Sequence, residues 1–422
     1  MEKLVIEGGR PLSGTVQIHG SKNAALPILA ACLLADGIHV IENVPKLLDI
    51  EVMLEILRAL GCRAEHADER VILDTADVNS HHIPEKLMRQ MRSSIFLMGP
   101  LLARFGKVQI YQPGGCAIGS RKIDLHLRGL ESLGAVIDVS ADTIKCSVEK
   151  LKGEDILLDL PSVGATENIM MAAVMAEGTT TIHNAAREPE ITDLQNFLNA
   201  MGADISGAGT DTIIIHGVAK LTPCLYRVIP DRIVAGTLMI AAAVTRGTIT
   251  LRNMDPKYLT AVIHVLKRVG VQIRTEDDII YVNCMNRPKP VDQIVTSPYP
   301  AFPTDLQAQM MVLLSLADGF SILKETVFDG RFKHVDELNR MGADIRQDWN
   351  SAFIRGVPRL YGTTVEATDL RAGAALVLAG LAAAGTTVVE QIQHIDRGYD
   401  RIEEIFQQLG GQIQRCALIP KV

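Results

Sequence analysis

Two glycine-containing patterns recur along the 422-residue chain and restrict how it can fold. In the first, a Leu-x-x-apolar run ends at a glycine, with a degenerate last copy; these glycines are Gly61, Gly134, Gly202, Gly270, Gly342 and Gly410. In the second, a glycine precedes an alternating strand, at Gly37, Gly106, Gly178, Gly247, Gly319 and Gly385. Both patterns recur about every 70 residues, a longer period than the roughly 20–50 residues of common solenoids. The chain is therefore predicted to contain six similar units.

Each unit reads as a strand, an apolar helix, a strand, a second helix and two further strands, which is the order βαβαββ. A glycine after a helix supplies the left-handed cap, and alternation such as that at 179–183 is typical of a half-buried strand. The first helix of each unit is apolar nearly all round, as at 235–244, and such helices are buried. We therefore predict an α/β fold with helices inside and sheets outside, which inverts the usual layering.

The six units divide naturally into two sets of three, because 422 residues exceed one ordinary core. A stretch with two prolines at 219–230 is the predicted linker. The first 20 or so residues hold a strand pair with no preceding helix, and we expect this pair to complete the last unit. The predicted domains are 22–229 and 1–21 plus 230–422, with the active site in the cleft between them.

Charge and composition exclude several classes of protein. A net charge of −7 and a pI of about 5.9 argue against binding to nucleic acid or to an anionic membrane, which requires a basic surface. The most apolar runs, 24–35 and 372–384, are shorter than the ~18–20 residues that span a bilayer. Seven cysteines without zinc-binding spacing are typical of free thiols in a reducing cytoplasm. We therefore predict a cytoplasmic protein with no metal, no cofactor and no membrane insertion.

Charged residues recur where the six apolar helices begin. The aligned starts are 21–23, 91–93, 162–164, 231–232, 304–305 and 369–371. Capping of a helix N-terminus is an alternative to ligand binding for Ser162 and Asp231. Capping does not explain Lys22, Arg92 or Arg371, because cations near a helix N-terminus oppose its dipole. We expect these cations to bind an anion.

A second set of charged loops precedes the second helix of several units. Arginine recurs there beside an acidic residue, as in Arg331 and Arg397. A surface ion pair is the alternative for each arginine taken singly, but recurrence in equivalent loops favours binding. Asp305 follows three prolines that fix the approach to its helix. Its carboxylate is suited to a general base, with a plain helix cap as the alternative.

The segment 113–121 is predicted to be an exposed, mobile loop because it holds three glycines in six residues. Its glycine spacing matches a P-loop, but the Lys and Ser/Thr that must follow are absent, so a Walker A site is excluded. Cys116 lies in this loop close to Arg121 and Lys122. Basic neighbours lower the pKa of a thiol. Cys116 is therefore either a chemically competent thiol or an incidental loop cysteine.

End to end, the chain resembles the UDP-N-acetylglucosamine enolpyruvyl transferases, also called 1-carboxyvinyltransferases. The phrases that carry the resemblance are GSKNAALP at 20–27, PGGCAIG at 113–119, AFPTD at 301–305, NRMGAD at 339–344 and ATDLR at 367–371. The resemblance implies a two-domain inside-out α/β barrel with three similar units per domain. EPSP synthase is similar in fold and reaction type, but the Gly-Gly-Cys loop points to the sugar-nucleotide enzymes. The implied reaction adds the enolpyruvyl group of phosphoenolpyruvate to the sugar 3-hydroxyl, releases phosphate and begins peptidoglycan synthesis.

The same resemblance implies roles for individual residues. Lys22, Arg121 and Arg397 would hold the phosphate and carboxylate of phosphoenolpyruvate. Cys116 would donate a proton to the methylene carbon and be the target of epoxide antibiotics such as fosfomycin, while Asp305 would take the proton of the sugar hydroxyl. The implied sugar-nucleotide site consists of Asn23, Arg92, Arg121, Lys122, Ile123, Asp124, Leu125, Ser162, Val163, Gly164, Asp305 and Val327. The surrounding charged cluster is Arg331, Asp369 and Arg371.

Two features qualify this assignment. Many relatives have proline where this chain has Lys122, which bears on the backbone around the uridine and not on the reaction. The glycine loop is expected to close over the sugar nucleotide as a lid that excludes water. The implied partners are phosphoenolpyruvate and UDP-N-acetylglucosamine, with no nucleic acid, and protein regulators are unknown.

Three other functions are weighed against this one. An enolpyruvyl transferase with a shikimate-type acceptor is disfavoured by the Cys116 loop. A regulatory relative without catalysis is disfavoured because Lys22, Cys116, Asp305 and Arg397 are all present. A structural repeat scaffold does not need Arg and Asp at its helix starts.

Overall fold

The computed structural model describes residues 2–111, 114, 123–140 and 142–417. These residues form two compact units. One unit is the described part of 20–229, and the other is 2–19 together with 230–417. No helix among the described residues is long and apolar enough to cross a membrane.

The first half of the chain alternates short strands with helices. Its strands are β1 Glu2–Glu7, β2 Ser13–Gln17, β3 Ile38–Glu42, β4 Arg63–Ala67, β5 Arg70–Asp74, β6 Lys107–Tyr111, β7 Val136–Ser140, β8 Thr143–Ser147, β9 Asp155–Leu157, β10 Thr179–His183, β11 Asp204–Ser206, β12 Thr212–His216 and β13 Leu225–Arg227. Its α-helices are α1 Lys22–Ala31, α2 Leu48–Ala59, α3 Glu85–Met88, α4 Met98–Phe105, α5 Asp124–Ser132, α6 Val163–Ala173 and α7 Pro189–Ala200. Short 3₁₀ helices span Cys32–Leu34 and Arg92–Leu97.

The second half repeats this alternation. Its strands are β14 Thr248–Arg252, β15 Gln272–Glu276, β16 Ile279–Asn283, β17 Gln293–Val295, β18 Phe320–Lys324, β19 Asp344–Asp348, β20 Ser351–Arg355, β21 Thr364–Glu366, β22 Thr386–Glu390 and β23 Gln412–Ala417. Its α-helices are α8 Arg232–Val244, α9 Thr260–Arg268, α10 Gln307–Ser315, α11 His334–Arg340, α12 Leu370–Ala382 and α13 Ile402–Gln408. Short 3₁₀ helices span Pro256–Leu259, Thr304–Leu306 and Ile392–His394.

The described strands form six small sheets of one design. In each, the strand that follows an apolar helix is antiparallel to a neighbour that belongs to a hairpin or to β1, and five sheets add a short parallel strand on its other side. The strand orders are β13-β3-β5-β4, β6-β8-β7, β11-β12-β10-β9, β15-β16-β14-β2, β17-β18-β20-β19 and β21-β22-β1-β23. In the three-stranded sheet, a single parallel bridge between His82 and Gln109 takes the place of this short parallel strand. The predicted six-fold repetition is confirmed.

The two N-terminal strands serve different sheets. β1 lies between β22 and β23, in the sheet of the last unit. β2 instead pairs in parallel with β14, so the expectation that both strands complete the last unit is wrong for β2. The physical reason is that β2 supplies hydrogen-bond partners for the peptide groups along the edge of β14, which would otherwise be unpaired. The strand that precedes α8, β13, is not available there because it pairs with β3.

The apolar helices are buried, as their composition predicts. Every residue of α10 is buried, and in α8 only Val234 is less than fully buried. α8, α10 and α12 pack against one another. Strands such as β3, in the unit 20–229, alternate between exposed and buried positions. The inside-out α/β layering is therefore confirmed within each unit.

A close backbone contact at Gly217 generates a prediction about stability. A Cβ atom at Gly217 would lie 1.6 Å from the carbonyl oxygen of Ala176, and one at the equivalent Gly356 would lie 1.9 Å from that of Ala317. We expect Gly217→Ala to lower the free energy of unfolding by about 2–3 kcal/mol, since the backbone must shift. Urea denaturation followed by circular dichroism measures this change. Gly178→Ala is the matched control, because Gly178 has a φ of +91° but nothing within 4 Å. It should cost only about 1 kcal/mol, and equal losses in both variants would contradict the steric explanation.

Candidate active site

Asp305 lies in the 3₁₀ helix Thr304–Leu306 that leads into α10, and two arginines hold its carboxylate. Arg331 donates from Nη2 to Oδ1 at 2.7 Å, and Arg371 donates from Nη2 to Oδ2 at 2.8 Å. The side chain of Asp305 is 23% exposed, whereas those of Arg331 and Arg371 are 7% and 5% exposed. The alternative of a plain helix cap is wrong, because Pro303 occupies the N-cap position and no side chain caps this turn. The carboxylate is thus directed at the arginines and remains partly accessible.

The two arginines determine the protonation of Asp305. Burial on its own would raise the pKa of this carboxyl group, but Arg371 and Arg331 hold the pKa well below its ordinary range. Burial likewise opposes the charge of Arg371, yet the pairing with Asp305 keeps the pKa of Arg371 above its ordinary value. Asp305 and Arg371 therefore keep each other in the charged form. Each carboxylate oxygen accepts one of these bonds and has a second lone pair for another donor.

A chain of hydrogen bonds connects Arg331 to the segment that carries Val327. Arg331 Nη1 donates to Thr304 Oγ1 at 2.7 Å, and Thr304 Oγ1 donates to Glu325 Oε2 at 2.8 Å. The other oxygen of Glu325 accepts from the backbone N–H of Val327 at 2.7 Å and of Phe328 at 3.2 Å. The position of Val327 is therefore coupled to that of Asp305. Glu325 was not identified from the sequence, where it is one acid among many.

Asp369, predicted to join the charged cluster, caps α12. Its Oδ1 accepts from the backbone N–H of Arg371 at 2.9 Å and of Ala372 at 3.0 Å. His334 is buried close to Asp369 and Arg331. Burial lowers the pKa of His334 to about 4; the charge of Arg331 lowers this pKa further, whereas the charge of Asp369 raises it. Asp369 therefore orients the start of α12, from which Arg371 projects.

Arg397 lies in the loop between the 3₁₀ helix Ile392–His394 and α13, and its side chain is half-buried. Two residues later, the buried hydroxyl of Tyr399 lies 2.8 Å from Thr237 Oγ1, 3.4 Å from Gln309 Nε2 and 3.4 Å from Arg371 Nη1. Tyr399 thereby ties this loop to α8, α10 and α12. Sequence reasoning missed Tyr399, and its only local signal is its closeness to Arg397.

In the unit 20–229, Lys22 is the first residue of α1, and its side chain is 10% exposed. Its ammonium group donates to Oδ2 of Asp49 in α2 at 3.1 Å. Asp49 was also missed from the sequence, because only the packing of α2 on α1 brings it close. Ser21 caps the helix by accepting from the N–H of Ala24 at 3.3 Å, and Asn23 is half-buried beside them.

Asn168 holds together three segments that carry predicted sugar-nucleotide residues. From α6 its Nδ2 donates to the carbonyl oxygen of Ile95 at 2.8 Å, in the 3₁₀ helix that begins at Arg92, and to Nδ1 of His126 at 2.9 Å. His126 belongs to α5, and its Nδ1 accepts, so the ring proton is on Nε2. Its ring also packs against Gly164, where an added Cβ would lie 3.0 Å from Cε1.

The remaining predicted residues fall into two groups. Ser162 and Asp231 cap their helices, as the capping alternative predicted, and Val163 is half-buried in the first turn of α6. Ile123 and Leu125 are half-buried on either side of Asp124, which is exposed and accepts from Arg128 at 2.8 Å. Cys116, Arg121 and Lys122 lie outside the described residues, so the roles assigned to them stay predictions, as does closure of their loop.

Comparison with known proteins places this geometry in a family. Residues 6–406 match the family model of EPSP synthase (3-phosphoshikimate 1-carboxyvinyltransferase). The chain is 54% identical over 415 residues to UDP-N-acetylglucosamine 1-carboxyvinyltransferase 2 of Caldanaerobacter subterraneus subsp. tengcongensis, which covers 98% of this chain and 100% of the relative. It is 54% identical over 419 residues to the protein of the same name from Carboxydothermus hydrogenoformans, with 99% and 100% covered.

Among solved structures, the enolpyruvyl transferase NikO from Streptomyces tendae matches with a TM-score of 0.88 and 27% identity, covering 98% of both chains. Sequence and fold therefore agree over nearly the whole length. The chain belongs to the EPSP synthase family and, within it, to the UDP-N-acetylglucosamine 1-carboxyvinyltransferases.

Proposed function

We propose that this protein transfers the enolpyruvyl group of phosphoenolpyruvate to the 3-hydroxyl of UDP-N-acetylglucosamine and releases phosphate. This reaction is the first committed step of peptidoglycan synthesis. The observation that carries the proposal is the near-complete alignment, at 54% identity, with relatives that bear the name of this activity. The charged cluster around Asp305 supports it, because a partly accessible carboxylate paired with buried arginines suits a substrate with a reacting hydroxyl.

The proposed reaction proceeds in two steps. The sugar oxygen bonds to the central carbon of phosphoenolpyruvate, while the π electrons of its double bond take a proton at the methylene carbon, which Cys116 supplies. The methyl group of the tetrahedral intermediate then returns a proton to the thiolate of Cys116, the double bond forms again, and phosphate leaves with the electron pair of its C–O bond. Lys22, Arg121 and Arg397 are the proposed ligands of the phosphate and carboxylate groups, since fixed cations stabilise the departing charge.

The low pKa of Asp305 refines its proposed role as a base. A carboxylate whose pKa is held so far down has little drive to remove a proton from a neutral hydroxyl. The hydroxyl proton becomes acidic only once its oxygen has bonded to carbon. Asp305 therefore orients the hydroxyl by accepting its hydrogen bond through a remaining lone pair, and takes the proton as the new bond forms.

The cytoplasm is the proposed location, because both substrates are intracellular metabolites. The six described cysteines are free thiols, which fits a reducing compartment. Nucleic acid has no part in the proposed reaction, and protein regulators remain outside the proposal.

Phosphate release gives the direct test of function. We expect purified protein to release phosphate from phosphoenolpyruvate only when UDP-N-acetylglucosamine is present, and not with shikimate 3-phosphate as acceptor. Fosfomycin should abolish release by alkylating Cys116, whereas Cys116→Asp should keep part of the activity and resist the drug, because a carboxylic acid can donate a proton. Release that depends on shikimate 3-phosphate would contradict the proposal, as would no release from folded protein.

Substitution of Asp305 tests the reacting carboxylate. Asp305→Asn keeps the shape but removes the charge and the proton acceptor, so kcat should fall about 10²- to 10⁴-fold. Asp318→Asn is the matched control, because Asp318 pairs with Arg287 at 3.0 Å but is 77% exposed. Its kcat should stay within about twofold of wild type. Thermal unfolding of both variants separates lost chemistry from lost folding, and an active Asp305→Asn enzyme would exclude the assigned role.

The paired arginines also predict a pH effect. Because the pKa of Asp305 is low, protonation of this carboxylate should not reduce kcat/KM of the wild type until the pH is well into the acid range. Arg331→Gln removes one of the charges that lower the pKa, so the acid limb of kcat/KM should move up by about one pH unit or more. A pH profile of initial rates measures the shift, and an unmoved acid limb would mean that Asp305 does not control it.

A further inference from the structure

Arg415 in β23 has every guanidinium N–H engaged by a carboxylate. Its Nε and Nη2 donate to the two oxygens of Glu403 at 2.7 and 3.0 Å, and its Nη2 and Nη1 donate to the two oxygens of Asp396 at 2.7 and 3.0 Å. Nη1 also donates to Glu2 in β1 at 3.0 Å. A guanidinium has five such donors in a rigid fork, so this arrangement fixes its partners in both distance and direction.

These carboxylates bracket the loop that carries Arg397. Asp396 directly precedes Arg397, and Glu403 lies in the first turn of α13, where the loop ends. The side chains of Arg415, Asp396 and Glu403 are 21%, 32% and 7% exposed, so these three are better shielded from solvent than exposed ion pairs, whereas Glu2 is 55% exposed. Burial would raise the pKa of Glu403, but Arg415 brings the pKa below its ordinary value. Arg415 thus fastens both ends of the loop to the last sheet.

A second anchor holds the same loop from the interior. The hydroxyl of Tyr399 contacts Thr237 and Arg371, and the latter pairs with Asp305. Arg397 lies between Asp396, held by Arg415, and Tyr399, held by the central helices. The backbone on either side of Arg397 is therefore fixed, which reduces the entropy lost when its side chain binds a ligand.

Arg415 also acts on charge. Asp396 directly precedes Arg397 in the chain. Two bonds from Arg415 engage both oxygens of Asp396 and offset its charge. Loss of Arg415 would leave the carboxylates of Asp396 and Glu403 without this cation. The loop between them would then lose its attachment to β23.

We infer that Arg415 is a positioning residue, which holds Asp396 and Glu403 in place and thereby fixes the loop from which Arg397 binds the anionic groups of phosphoenolpyruvate. The inference rests on the proposed function, in which Arg397 binds that substrate. It assigns to a residue of the last strand a selective effect on one of the two substrates.

Steady-state kinetics of phosphate release test this inference with Arg415→Gln, Asp396→Asn and the double variant. We expect Arg415→Gln to raise KM for phosphoenolpyruvate about tenfold and to change KM for UDP-N-acetylglucosamine less than about twofold. Asp396→Asn, which keeps the Arg415–Glu403 pair and so protects the fold, should raise the first KM about threefold. The double variant should raise KM for phosphoenolpyruvate no further than Arg415→Gln does, since both substitutions remove the same interaction between Arg415 and Asp396.

Arg274→Gln is the matched control, because Arg274 pairs with Glu276 at 3.3 Å on the exposed strand β15. Both its KM values should equal those of wild type. Titration calorimetry of phosphoenolpyruvate with the enzyme alone, without UDP-N-acetylglucosamine, measures binding without turnover. Equal rises in both KM values, a fall in kcat that follows thermal stability alone, or multiplicative effects in the double variant would each overturn the positioning role. A wild-type protein that neither binds nor consumes phosphoenolpyruvate would overturn the proposed function and this inference with it.

Discussion

Burial of the apolar helices on all sides is the constraint on which the rest of the structure depends. α8, α10 and α12 have no polar face, so the sheets must surround them, and their side chains cannot reach solvent along their length. Charged side chains that face a substrate are then placed at the helix ends. This explains why Asp305 and Arg371 both come from residues at a helix start, and why helices that pack side by side bring such residues together.

The helix ends also set the charge of the candidate site. An N-terminus favours a carboxylate and disfavours a cation, so Asp305 before α10 is well placed and Arg371 in the first turn of α12 is not. The pair resolves this, because Asp305 offsets the unfavourable position of Arg371, while Arg331 binds the other oxygen of Asp305.

Local signals in the sequence were sufficient for the units but not for their long-range contacts. Glycine caps and apolar helices predicted six βαβαββ units, since both depend on neighbouring residues only. The partner of β2 could not be predicted, because it depends on which distant edge lacks a strand. Capping and binding look alike at a helix start, and only geometry shows that Asp369 caps whereas Asp305 does not.

The connectivity of the strands has a consequence for how the chain folds as it is made. The unit 20–229 takes its described residues from one half of the chain, and its ends meet where the N–H of Ser21 donates to the carbonyl oxygen of Ile229 at 2.7 Å. It can therefore complete its core while the ribosome is still translating the second half. β1 is synthesised long before β22 and β23, the strands between which it lies, whereas β2 waits only for β14. Of the described strands, β1 therefore waits longest for its partners, and until they emerge its peptide edges are open to pairing with other chains.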